Sequence, residues 1–232
     1  MLNSLGFPNE GLDAIKKRLK NTAKISCLGI NIGPNKDTSI DNMQTDYIKC
    51  YEELSEYADF ITINVSSPNT PKLRQLQDRK FIAELVSLLI ESRNQSKKNP
   101  KIFIKVSPDE RNQTYLDIIN IINKTSIDGL IVTNTSNNLK LKSSLNISNL
   151  EGGLSGKVLR NSSNNILRLV KEKLNNEKII VAVGGVFDVD SYNEKLDLGA
   201  DLVQIYTGFV YEGPNLVKKI IKNDKQKSSN SW

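Results

Sequence analysis

Ala58-Asp59-Phe60-Ile61-Thr62-Ile63-Asn64-Val65-Ser66-Ser67-Pro68-Asn69-Thr70-Pro71 is the stretch on which the fold turns. Residues 58–63 alternate and are rich in aromatic and β-branched side chains, which predicts a strand. Small polar residues and prolines then crowd its C-terminal end. Two asparagines, two serines and two prolines fall within residues 64–71. A plain connecting loop has little need of that set. A surface that holds a flat ligand with many carbonyl groups does, because these side chains donate and accept at short range.

The same arrangement recurs on both sides. Further β-rich apolar runs lie at 25–32, 101–106, 128–133, 178–183 and 200–206. Amphipathic stretches at 10–19, 81–91, 115–122, 166–174 and 189–198 predict helices, the last stopping at Gly199. Gly213-Pro214 opens a final helix to about residue 222, followed by a polar tail over 223–232. Strand and helix in alternation predict an α/β fold on a parallel sheet. Asn31, Asn64, Lys105, Thr133-Asn134, Gly184-Gly185 and Tyr206-Thr207 each end a successive strand. A doubly wound sheet needs binding residues only beside its switch point, whereas a (β/α)8 barrel turns every C-terminal end toward one pocket. Ligand-type residues on all the strand ends therefore predict a TIM-type barrel, one domain over residues 1–222. Six strands against a barrel's eight place two more upstream of Met1. The open edges that result are expected to make these residues alone express poorly or aggregate and to weaken ligand binding at the strand ends.

Composition narrows the chemistry. The 232 residues contain no histidine, which removes Ser-His-Asp triads, histidine metal sites and histidine bases. No metal is expected. The net charge is +6, but the lysines are scattered and no basic stripe is interleaved with aromatics, so a solvated surface is expected rather than nucleic-acid binding. No run approaches the length of a membrane span, and the first residues lack a signal-peptide pattern. Two cysteines far apart, Cys27 within a predicted strand and so expected to be a buried thiol, fit a reducing compartment.

Taken together, the segment 64–77, Gly129-Leu130-Ile131-Val132-Thr133-Asn134-Thr135, Gly152-Gly153-Leu154-Ser155-Gly156-Lys157, Val183-Gly184-Gly185-Val186 and Val203-Gln204-Ile205-Tyr206-Thr207-Gly208 resemble the dihydroorotate dehydrogenase family in its quinone-linked class. They follow the family's order over residues 1 to about 222. The resemblance implies FMN-dependent oxidation of dihydroorotate to orotate in pyrimidine biosynthesis, with quinone as the acceptor. A base removes the C5 proton while hydride leaves C6.

Ser67 matches the base position, where the soluble classes carry cysteine. A serine hydroxyl is a poor base alone, and Thr70 is a candidate relay. Lys105 matches a lysine at the flavin N1–C2 edge, where fixed positive charge stabilises negative charge on the ring. By the same resemblance, Asn31, Asn64 and Thr133 contact the flavin. Ser155, Gly156, Gly184, Gly185, Tyr206 and Thr207 hold its phosphate end, as late-strand loops of barrels commonly do. Asn3, Gly6, Phe7, Asn64, Asn69, Asn134 and Thr135 match substrate contacts. Asparagine suits orotate because it donates and accepts in one plane.

Some positions depart from the family pattern. Lys72 and Val158 replace a small residue and a proline, Pro34 replaces a common lysine, and Ser4 replaces a basic residue beside Asn3. The sequence also has no counterpart of the family's first two strands, nor of the helical pair that docks the quinone class to a membrane. Peripheral membrane association is thus expected only with that segment, and a cytoplasmic location without it. The quinone expectation rests on Ser67 and the motif set. Two other readings fit the same residues: another FMN barrel reductase acting on a pyrimidine, against which Ser67 counts, and a non-catalytic remnant that keeps the motifs.

Overall fold

The computed structural model describes residues 1–23, 27–66 and 78–229. Strands β1 (Leu2–Asn3), β2 (Gly29–Ile32), β3 (Phe60–Asn64), β4 (Lys101–Val106), β5 (Gly129–Val132), β6 (Gly153–Leu154), β7 (Ile179–Val183) and β8 (Leu202–Gln204) form two sheets. β1 and β6 pair antiparallel, and the other six form one parallel sheet in the order β2-β3-β4-β5-β7-β8. That order follows the chain without a reversal. A doubly wound sheet must reverse at its switch point, so this is the wall of a (β/α) barrel, with β2 and β8 as its edges among the described residues.

Helices α1 (Leu12–Lys20), α2 (Met43–Leu54), α3 (Arg79–Gln95), α4 (Asn112–Asn123), α5 (Leu139–Ser143), α6 (Arg160–Lys173), α7 (Val189–Asp197), α8 (Thr207–Glu212) and α9 (Pro214–Ser229) complete the chain. The main core joins the strands to the helices covering them. Ile61 and Ile63 of β3, Ile102 and Ile104 of β4, and Leu130 and Val132 of β5 pack there with Tyr47, Leu85, Ile118 and Leu167. Because side chains alternate across a strand, the intervening residues take the opposite face. Phe103, Ile131 and Val181, supported by Phe60 and Ile179, form a smaller apolar layer on that face. Thr62, Asn64 and Lys105 share the same face of the strands, and Asn64 and Lys105 stand at their C-terminal ends. Apolar floor and polar rim are thus consequences of one alternation.

Three aspartates set the other end of the wall. Asp59, Asp128 and Asp201 each precede a strand and accept the backbone N–H of Leu28, Ile102 and Ile180, respectively, at the start of the neighbouring strand. Each closes a donor that the ladder leaves open and fixes where two strands begin against each other. Asp128 also pairs with Arg93 at 2.9 Å and Lys101 at 3.2 Å.

Several expectations are corrected. Of the run expected at 25–32, residues 25 and 26 lie outside the described residues; Cys27 and Leu28 precede the strand, which begins at Gly29, and Cys27 is exposed rather than a buried strand thiol. The last helix continues to Ser229. The helix α2 was not anticipated, although Met43, Tyr47, Tyr51 and Leu54 bury one face at helical spacing. Among the described residues, no helix is long and apolar enough to cross a membrane, and no group of three or more acidic, cysteine or histidine side chains is placed to hold a metal.

Candidate active site

One pocket of about 480 Å³ lies at the C-terminal ends of the wall. Its lining brings together Asn3, Gly6, Phe7, Asn31, Asn64, Lys105, Thr133, Asn134, Thr135, Ser155, Gly156, Gly184, Gly185, Tyr206 and Thr207. These are all the described residues that the sequence assigned to flavin and substrate. Ser67, Asn69 and Thr70 lie outside the described residues. Asn3 reaches the pocket as part of β1, through pairing with Gly153.

Polar contacts hold the rim in place before any ligand arrives. Asn134 donates through Nδ2 to Asn64 Oδ1 at 3.1 Å and to Ser66 Oγ at 3.0 Å. Asn64 Oδ1 also accepts from the backbone N–H and hydroxyl of Ser66, both at 3.2 Å. From behind, the buried Tyr47 hydroxyl donates to the Asn64 carbonyl at 2.8 Å. Burial raises that phenol well above its ordinary range, so it stays a neutral donor. The residue just before Ser67 is thereby tied to two asparagines, one ending β3 and the other in the loop after β5. Across the pocket, Asp109 clamps the loop after Thr135 by accepting from Ser136 Oγ at 2.5 Å and the Asn137 N–H at 2.6 Å. Asp109, Ser66 and Tyr47 were missed in the sequence because none touches the pocket. Only the fold shows which rim residues they support.

Among the described residues that line the pocket, one carries a charge. Lys105 is half-buried at the rim, and no carboxylate among the described residues pairs with it. Burial pulls its ammonium down to about 8. A cation held at such cost beside neutral amides marks a place for an anionic or electron-rich ligand.

At the far end, Thr207 Oγ1 donates to Ser155 Oγ at 2.8 Å, joining two loops. Between them runs the Gly184–Gly185 turn, with φ of +116° and +81°. A Cβ on Gly185 would lie 2.6 Å from Arg160 Cα. Only glycine can follow that path, and the result is main chain without side-chain cover lining the pocket where a phosphate could sit. The Lys105 cation, the planar amides and the glycine cradle lie along one cavity, an arrangement that fits the ring and phosphate of FMN. Leu159 and Phe187 add apolar wall that the motifs did not signal.

The sequence model of the family described as dihydroorotate dehydrogenase matches residues 1–227. Dihydroorotate dehydrogenase (quinone) of Legionella pneumophila (strain Lens) is 38% identical over 225 residues, covering 95% of this chain and 68% of the relative. The protein of that name from Christiangramia forsetii is 43% identical over 221 residues, covering 95% and 64%. Among solved structures, the Eimeria tenella dihydroorotate dehydrogenase in complex with ferulenol superposes with a TM-score of 0.87 at 30% identity, covering 94% of this chain and 65% of that one. The ligand-free form gives 0.86. This chain thus spans about two thirds of the length of these relatives.

Proposed function

The chain belongs to the dihydroorotate dehydrogenase family, and on that premise we propose that its pocket binds FMN and oxidises dihydroorotate to orotate in pyrimidine biosynthesis, with Ser67 as base and a quinone as the final acceptor. The observation that carries this reading is Lys105. It presents a partly desolvated cation, in register with Asn64 and with no carboxylate partner among the described residues, to a cavity whose other described polar side chains are amides and hydroxyls.

FMN, when bound, supplies the acceptor for the hydride from C6. Lys105 stabilises the negative charge that accompanies that transfer, and it is in place beforehand, so no reorganisation is needed during the reaction. Asn64 and Asn134 orient the planar substrate by donating and accepting in one plane. Their mutual contact keeps both amides aimed before binding. Ser67 removes the C5 proton, and its chain neighbour Ser66 is held by Asn64. The quinone acceptor is supported by the names of the relatives and by serine at the base position.

Flavin fluorescence titration tests the reading. FMN should be quenched on binding the purified protein, and Lys105→Ala should weaken that binding by about ten- to a hundredfold, the worth of a lost charged hydrogen bond. Equal affinity in both proteins would contradict it.

A further inference from the structure

Lys195 is fully buried, lies on α7, and is not among the residues that line the pocket. Its Nζ sits 2.6 Å from Ser163 Oγ and 2.5 Å from Asn164 Oδ1, both on α6 and both buried. Burial pulls this ammonium down to about 8, with Glu194 opposing the shift and Arg160 and Arg168 adding to it. A methionine would fill the same space without desolvating a charge, so packing alone gives no reason for lysine here.

The reason lies one bond further on. A protonated amine can only donate, so Ser163 accepts from Lys195 and must send its single proton elsewhere. Two carbonyls share that proton, those of Gly184 and Arg160, each 3.1 Å away. Gly184 has no slack on that side, since a Cβ there would meet Ser163 Cβ and Oγ at 3.2 Å. The chain of contacts therefore runs from a buried cation, through one hydroxyl of fixed polarity, to the glycine turn at the phosphate end of the pocket.

We propose that Lys195 is a positioning residue which, through Ser163, holds the Gly184–Gly185 turn in the shape that receives the phosphate of FMN. This rests on the FMN reading of the pocket and adds to it a residue that never touches the ligand. The alignment of the turn, and with it the preference for a phosphorylated flavin, depends on the Lys195–Ser163 contact.

The test compares FMN with riboflavin, which has the same ring and no phosphate, by fluorescence titration of wild type, Lys195→Met and Ser163→Ala. Wild type should prefer FMN. Each variant should lose about tenfold in FMN affinity while riboflavin affinity changes less than twofold. Ser163→Ala removes no charge and keeps the result readable if Lys195→Met does not fold. FMN and riboflavin weakened equally, or a lower melting temperature with the preference intact, would show a purely structural lysine and overturn the proposal. A wild-type protein that binds neither flavin would overturn the FMN reading and this proposal with it.

Discussion

Asn64 and Lys105 are register partners on adjacent parallel strands, and both face the pocket at the point where their strands end. Amide and cation are thus held side by side by the backbone ladder rather than by contact with each other. Substrate orientation and charge stabilisation therefore become separable by mutation.

Lys105→Ala should lower the flavin midpoint potential, because the reduced ring loses its partner charge. Spectroelectrochemical titration of the bound flavin measures this. A potential equal to or above wild type would remove Lys105 from the role.

The pH dependence has a definite sign. In the free protein Lys105 titrates at about 8. An anionic or electron-rich ligand favours the ammonium and raises that value, so binding takes up a proton above it. FMN affinity should be full below about pH 8 and fall as pH rises beyond it. Lys195 also titrates at about 8, so the informative quantity is the difference between wild type and Lys105→Ala. Superimposable pH profiles would contradict the assignment.

Tyr47→Phe deletes the donor behind the Asn64 carbonyl and nothing else. An orphaned buried carbonyl costs about 1–3 kcal/mol, which urea denaturation would read. Orotate binding should weaken alongside, since Asn64 loses its backing. Unchanged orotate affinity at reduced stability would confine Tyr47 to the core.

Asp128→Ala opens the N-terminal clamp. It strips Arg93 and Lys101 of their partner and leaves the Ile102 N–H unpaired. A loss of about 2–4 kcal/mol in unfolding free energy is expected, with flavin affinity little changed at temperatures where the protein is folded, because the clamp sits at the opposite end of the strands. A selective loss of flavin binding would show that the two ends are coupled.

Most of the wall was legible because each strand is a short β-rich run bounded by turn residues. The strand at 101–106 is found at Lys101–Val106. Cys27 and Leu28 misled because they continue the apolar run, while the Leu28 N–H is taken by the Asp59 side chain and the ladder starts at Gly29. The rim residues were legible for a different reason. A barrel puts strand ends in one place, so a ligand-type residue after each strand needs no contact map. Tyr47, Ser66, Asp109 and Lys195 were not legible, since each acts through a partner 2 to 68 positions away, which periodicity does not encode.

The most direct test is an anaerobic single turnover. With FMN held well above its dissociation constant, dihydroorotate should bleach the visible flavin band and release orotate in equal amount. Ser67→Ala should slow that bleaching by about a hundredfold or more while FMN binding stays the same, the scale of a positioned base. A flavin band that dihydroorotate leaves unchanged in the wild-type protein, or bleaching that proceeds at the same rate without the Ser67 hydroxyl, would contradict the account.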